Sequence, residues 1–343
     1  MQGDLQPVIV GYGRAGCDLH HRALRPLLDP GDTVLVVDPR PVPTQPGIRW
    51  VATLTEAADA LHAMSVPMRR AVFHLTTPPA AHLSGVEQLV ALGARQVILE
   101  KPIATSVAEA RRIADLSADI VVMPVSVWLE SATTAVVEQA VAAGEIGRLT
   151  ALHMEQSKPR FRRNLETTDA HSTPFDVELP HQMLLALHLA GVDATVESAV
   201  RWPMSSCDRY GHVMGGAAVT LTHGSAVTST LLSDLTSPIR RRRLVVTGTR
   251  GQIVADYPLS SDDDYGQVRI RGRGDRQIVQ DLPLSQFVKA AYDSRRGVGR
   301  PPRGDLDMHV RSIELLDQAG RTAVTVPPQV TLPQLTEFAS WQG

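Results

Sequence analysis

"VIVGYGRAGCDLHHRAL", residues 8–24, decides the fold of this 343-residue chain. An apolar run ends at Val10, glycines follow at Gly11, Gly13 and Gly16, and a helical pattern begins at once. Gly11 permits a tight turn, Gly13 lets backbone approach a pyrophosphate, and Gly16 lets the helix pack on the strand. The helix start adds free N–H groups and the positive end of its dipole, so the loop through Tyr12, Arg14 and Ala15 reads as a phosphate cradle. A bare G-x-G-x-x-G is weak evidence. The strand before it, the helix after it and the acidic strand end "VLVVDPR" make it stronger.

Asp38, at that strand end, stands roughly 20 residues on, where a carboxylate meets the adenosine ribose hydroxyls. It favours NAD. Arg40 keeps NADP open, because an arginine there accommodates a 2′-phosphate. Asp38 as a mere turn cap before Pro39 is the plainer alternative.

Outward from this stretch, apolar runs at "PVIV", "TVLVV", "AVFHL", "QVIL" and "DIVVM" alternate with helical patterns up to about residue 125. They are continuously apolar, as strands covered on both faces are. The expectation is an α/β fold: a Rossmann-type doubly wound parallel sheet over residues 1–125. Beyond about residue 150 strands follow one another at "TALHMEQS", "TVESAVRW", "AAVTLTHGSAVTSTLLS", "RRRLVVTG" and "GQIVADY", many alternating polar and apolar, as in an open sheet with one wet face. Residues 126–343 are therefore expected to be a second, α+β domain. Its helices are "PHQMLLALHLAG", apolar nearly all round and so buried, "LSQFVKAAYDS", and "LDMHVRSIELLDQAG" ending at Gly320. "RRGVGRPPRGD" reads as a loose loop. Ser106 and Glu109 stand at capping-box spacing and start a helix.

Composition narrows the function. A net charge of −2 and 43% hydrophobic residues fit a globular protein with no pull toward nucleic acid or anionic membrane. The "RRRR" of Arg240–Arg243 starts a strand, so its side chains alternate between faces instead of forming a basic patch. No apolar run spans a bilayer and no signal peptide opens the chain, so a cytoplasmic protein is expected. Cys17 and Cys207 match no metal-ligand spacing, and no metal is expected. Arginine-rich usage hints at a GC-rich bacterial source.

Lysine occurs only at Lys101, Lys158 and Lys289. Lys101, in "QVILEKPIATS", follows a buried strand, and ligands bind beyond the carboxyl ends of such strands. Near a cationic nicotinamide, its pKa falls toward a useful range. It can then donate a proton to a carbonyl or hydrogen-bond an alcohol. Pro102 biases it away from helix, with a cis bond as one option, and Glu100 orients neighbouring groups. On its own a solvated lysine loop is the simpler reading.

The glycine loop, "TTPPAAH", "EKPIATS", "VAAGEIGRLTALH" and "VVTGTRGQIVAD" together resemble the Gfo/Idh/MocA family of NAD(P)-dependent oxidoreductases, over nearly the whole chain. The resemblance implies a C-terminal domain built on a large open, mostly antiparallel sheet, and homodimers or homotetramers packed through it. It implies hydride transfer between alcohol and ketone on sugars, aminosugars or cyclitols, a sugar-like small-molecule substrate, and Lys101 as the catalytic lysine. Thr76, Thr77, Pro78, His82, Glu100, Lys101 and Pro102 would line the cofactor. Redox-assisted glycoside cleavage is a variant the family also implies.

One departure stands out. The family places an aspartate four residues before a helix-start histidine. Here "PFDVELPHQMLLALHLAG" puts the histidine at His181 and valine at Val177, flanked by Asp176 and Glu178. Either acid is a candidate for a neighbouring role. His181 falls in the first helical turn, where the dipole keeps its ring neutral. It can then accept an alcohol proton or orient a ketone. His188 reads as structural. Lys158 and Arg160 read as solvated loop charges or, less simply, substrate-binding cations. Asp262, Asp263 and Asp264 read as an exposed turn. The rival function is a non-catalytic NAD(P)-binding sensor on the same fold, favoured by Val177 and opposed by the intact Glu100-Lys101-Pro102.

Overall fold

The computed structural model describes residues 5–43, 45–166, 173–206, 209–260, 263–272, 274 and 276–327. Cys207 and Asp262 lie outside them. Six parallel strands form the first sheet: β1 (Gln6–Val10), β2 (Val34–Val37), β3 (Ile48–Val51), β4 (Ala71–Leu75), β5 (Gln96–Leu99) and β6 (Val121–Pro124). Their order, β3-β2-β1-β4-β5-β6, reverses direction between β1 and β4. A crevice opens at such a switch point, beyond the carboxyl ends of the strands. The Gly11 loop follows β1, residues 76–78 follow β4, and Lys101 follows β5, so all three edge that crevice.

The helix after the glycine loop is less regular than its pattern predicts. Ala15–His21 is π-helical, followed by α1 (Arg22–Leu24) and a 3-10 turn at Arg25–Leu27. The helices α2 (Leu54–Ala63), α3 (His82–Ala91) and α4 (Val107–Leu116) complete the layers over this sheet. Thr53 and Ser106 cap α2 and α4 by accepting the N–H of Glu56 and Glu109. The expected box closes one residue early, because the Glu109 carboxylate accepts from Thr105.

After α5 (Ala132–Ala142) the second sheet begins with β7 (Leu149–Ser157). A short α6 (Phe161–Glu166) and the buried α7 (Leu179–Ala190) precede β8 (Ala194–Ser205), β9 (Tyr210–His223), β10 (Thr228–Asp234), β11 (Arg241–Gly248), β12 (Gly251–Asp256), β13 (Tyr265–Ile270) and β14 (Arg276–Gln280). Then come α8 (Pro283–Arg295), α9 (Leu306–Thr322) and β15 (Val324–Thr325). The sheet is nine-stranded, ordered β14-β13-β12-β11-β7-β10-β9-β8-β15, and antiparallel except at β7/β10 and β8/β15. α7 packs on its inner face through Met183, Leu185 and Leu187. α8 returns to the first sheet, setting Phe287 and Tyr292 against Ile9 and Ile98.

Two expectations are corrected. α9 runs past Gly320 to Thr322, because its packing against α4 and α7 outweighs the local glycine cost. The stretch 295–305 is held by ion pairs. Arg300 clasps the buried Glu130 through two nitrogens, at 2.9 and 2.7 Å, while Arg303 pairs with Glu138. Among the described residues no helix is long and apolar enough to cross a membrane, and no group of His, Cys, Asp and Glu is arranged to hold a metal.

Candidate active site

The glycine loop is shaped by what its missing side chains would hit. Gly11 has a φ of +89°, the region glycine favours. A Cβ on Gly16 would lie 2.1 Å from the Gly11 carbonyl oxygen and 2.9 Å from Thr76 Oγ1, so only glycine lets the helix sit this close to β1 and β4. A Cβ on Gly13 would meet nothing within 4 Å, which leaves that backbone open toward the crevice. Beside the loop the Thr77 hydroxyl is buried without a partner among the described residues. Thr76 Oγ1 donates to the Gly11 carbonyl at 2.6 Å and braces the turn. Open backbone, a helix start and an orphaned hydroxyl fit a dinucleotide phosphate.

Asp38 accepts from the Tyr12 N–H at 2.8 Å and the Arg40 N–H at 2.9 Å. Burial pushes its carboxyl up, but those N–H groups and the Arg40 guanidinium outweigh it and hold the pKa below the ordinary carboxylate value. Asp38 is therefore a fixed anion at the crevice end of β2. Arg40 itself is exposed and leans on Asp38. Arg14 is exposed beside the loop, Ala15 opens the π-helix, and Pro78 leads into the 3-10 turn Pro79–Ala81.

Two anchors fix the Lys101 loop, whose Lys101–Pro102 bond is cis. The His82 ring lies between the Thr77 carbonyl, 2.9 Å from Nε2, and the Pro102 and Ile103 carbonyls, 3.1 and 3.2 Å from Nδ1. One ring thus ties the loop after β4 to the loop after β5. The second anchor is Glu100. Its Oε2 accepts the Lys101 N–H at 2.9 Å, and its Oε1 meets His20 Nε2 at 2.9 Å. A buried chain continues from His20 Nδ1 to His74 Nδ1 at 2.8 Å, then from His74 Nε2 to the Tyr292 hydroxyl at 3.0 Å. Burial favours a raised Glu100 pKa, but the His20 hydrogen bond and the charges of His20 and Lys101 lower it. Burial holds His74 well below the ordinary histidine value, hence neutral. With Glu100 ionised, His20 Nε2 is a donor. Each ring atom of the chain is then satisfied whether His20 donates to His74 or accepts from it.

Across the crevice the 3-10 turn Pro174–Asp176 and the start of α7 supply the facing groups. Lys101 Nζ donates to the Val177 carbonyl at 3.3 Å, with the Val177 side chain turned into an apolar cluster with Met204 and Leu235. Glu178 is buried and paired with Lys158. Its pKa is pushed up by burial but brought below the ordinary value by Lys158, Lys101 and Arg242. His181 stacks on Trp128 at 5.9 Å between centroids, and Trp128 stacks in turn on Tyr257 at 5.0 Å. Burial, then the charges of Lys101, Arg242 and Lys158, holds the His181 pKa well below normal, so its ring is neutral.

Lys101, Glu178 and His181 are thus brought together, with Glu100 behind them. Asp176 is not. Its carboxylate accepts the Thr173 N–H and hydroxyl at 3.1 and 2.8 Å in a local capping box. Lys158 is no solvated loop charge, because Glu178 draws it inward. His188 is paired with Glu138 away from the crevice, and Asp263 and Asp264 bind locally, to the Tyr265 N–H and the Gln280 amide. His20, His74, Tyr292 and Trp128 carry no sequence signal of their own, and Arg242 shows only as one of the four arginines at 240–243. Only the doubled histidine after the glycine loop hints at such a signal.

The comparisons with known proteins bear on the fold. Residues 5–127 match the family model described as "Oxidoreductase family, NAD-binding Rossmann fold". The chain carries the NAD-binding Rossmann fold of the Gfo/Idh/MocA oxidoreductases. Among solved structures, KijD10, a 3-ketoreductase from Actinomadura kijaniata in complex with NADP and TDP-benzene, is 14% identical with a TM-score of 0.73, over 95% of this chain and 99% of that one. A putative oxidoreductase from Klebsiella pneumoniae is 16% identical with a TM-score of 0.71, over 93% of each. At these identities the likeness speaks for the fold, which the Gfo/Idh/MocA resemblance anticipates in both sheets. No curated protein sequence matches the chain.

Proposed function

We propose that this Gfo/Idh/MocA oxidoreductase interconverts an alcohol and a ketone on a sugar, aminosugar or cyclitol, residues 1–125 serving the dinucleotide and 126–343 the substrate. The carrying observation is the meeting of Lys101 and the neutral His181 at the switch-point crevice, 3.3 Å separating Lys101 Nζ from the Val177 carbonyl just before α7. The cofactor, when bound, supplies or accepts the hydride. Gly11, Gly13 and the helix start would hold its pyrophosphate, Thr77 an adjoining oxygen, and Asp38 its ribose hydroxyls, which favours NAD over NADP.

Lys101 Nζ donates a proton to the carbonyl oxygen during reduction and receives it from the hydroxyl during oxidation. Neutral His181 orients that oxygen or shares the proton. Glu178 holds Lys158 and lends negative charge near Lys101. Asp176, fixed in its cap, has no part. The outer face of the nine-stranded sheet is the surface through which copies of the chain would pair.

The test pairs two measurements on Lys101→Ala. Fluorescence titration should show NADH bound as in the wild type. Turnover of sugar and cyclitol alcohols with NAD should fall by about 10²- to 10⁴-fold, the usual worth of a general acid–base group. A non-catalytic sensor is the second reading, supported by the buried Val177 at the family's aspartate position. Wild-type protein that binds NADH yet turns over no alcohol or ketone would favour it. Binding of neither NADH nor NADPH would sink both readings.

A further inference from the structure

Three strands of the second sheet carry a polar row toward the crevice. Arg242 of β11 pairs in register with Gln156 of β7, and Gln156 with Ser233 of β10. Each lies two residues from a core residue facing α7, namely Leu244, Met154 and Leu231, so all three side chains point to the inner face. Each also holds a buried polar atom without a hydrogen-bond partner among the described residues: Arg242 Nε, Gln156 Oε1 and Ser233 Oγ. Native interiors leave few such atoms, and three side by side mark a place for something else to bind.

Charge says what that is. Arg242 has one hydrogen bond among the described residues, from Nη1 to the neutral Pro258 carbonyl at 2.6 Å, and its guanidinium lies over Trp128 at 5.9 Å. Lys101 and Lys158 share the neighbourhood of His181 with it, and Glu178 is the carboxylate that faces all three. Lys158 is already paired with Glu178. Of the two carboxylates near this half-buried guanidinium, Glu178 is held by Lys158 and Asp281 by Ser131, Ala132 and Thr133, so its planar fork is left to match the two oxygens of a carboxylate or phosphate. Gln156 and Ser233 offer an acceptor and a hydroxyl, the complement of a sugar hydroxyl that both donates and accepts. Arg242 further lines a groove of about 480 Å³ with Arg240, Tyr257 and Tyr265, which gives a larger ligand room to extend.

We propose that Arg242 forms an oxyanion subsite with Gln156 and Ser233 holding a sugar hydroxyl beside it, and that the substrate is a sugar carrying a carboxylate or phosphate. The proposal rests on the oxidoreductase reading but is tested apart from turnover. Protein is first shown to bind NADH by fluorescence, and failure there would strike the oxidoreductase reading alone. NADH-saturated protein is then titrated calorimetrically with D-glucose, D-glucuronate and D-glucose 1-phosphate. At least one anionic probe should bind tenfold or more tighter than D-glucose, and which one does so separates carboxylate from phosphate. Arg242→Gln should remove that advantage with NADH affinity unchanged, and Arg242→Lys should keep part of it. Equal affinities for the three probes, or an Arg242→Gln protein that keeps the preference, would overturn the proposal. Should Arg242→Gln fail to fold, the wild-type ranking of the probes still decides.

Discussion

His309 offers a sharp test of how the two sheets are held together. It lies on α9, 3% exposed, with Nε2 2.7 Å from the Ser126 hydroxyl just beyond β6. Burial alone lowers its pKa to about 3. In the unfolded chain it titrates near the ordinary value of about 6.5. Below that pH the unfolded chain takes up a proton that the folded protein refuses. Stability is therefore intact above about pH 6.5 and is lost as pH falls toward 3. At pH 5 the loss from this one group is about 2 kcal/mol, large against a total of roughly 5–15 kcal/mol. His74 and His181, also held neutral by burial, add losses of the same sign. The assay is urea unfolding at pH 7 and pH 5 of wild type and His309→Gln, which keeps an amide nitrogen near Ser126 but does not titrate. The pH-dependent loss should shrink by about 2 kcal/mol in the variant. Equal losses in the two proteins would refute the argument that His309 is buried neutral at this junction.

Other outcomes follow from the same geometry. Gly16→Ala drives a methyl group onto the Gly11 carbonyl and should weaken NADH binding at least tenfold by fluorescence titration, the backbone of the cradle having to move. Asp38→Ala should weaken NADH more than NADPH, narrowing or reversing the ratio of the two dissociation constants. Tyr292→Phe strands His74 Nε2 in the interior and should cost about 1–3 kcal/mol in urea unfolding, the usual penalty of an unsatisfied buried polar atom.

Much of the first sheet was legible because its strands are short, apolar on both faces and punctuated by glycine and proline. β3 was missed, since "IRWV" at the sheet edge puts an arginine and a half-exposed tryptophan where the pattern demands apolar residues. β14, "RQIVQ", escapes for the same reason, since an edge strand of an open sheet stays polar, and β13 beside it, "YGQVRI", carries too few apolar residues to stand out from a loop. In the site, the glycines, Asp38 and Lys101 announced themselves through local rules of turn and strand end. The Glu100–His20–His74–Tyr292 chain did not, because its links join residues 80, 54 and 218 positions apart. The pairing of Lys158 is hidden from the sequence for a related reason. Whether a lysine is solvated depends on its partner, and Glu178 lies 20 residues away on another element.

The π-helical stretch Ala15–His21 sets the phase between two jobs done by one helix. Its first residues must face the phosphate cradle, and its later ones must deliver His20 to Glu100 and His74. Each α-helical residue turns the side-chain direction by about 100°. A widened turn absorbs one residue without that rotation, so Gly16 can stay pressed on β1 while His20 points into the sheet. Deleting a single residue between Cys17 and Leu19 would leave the glycine motif intact to the eye and swing the histidine off its partners. The length of that stretch therefore couples the glycine motif to the histidine chain.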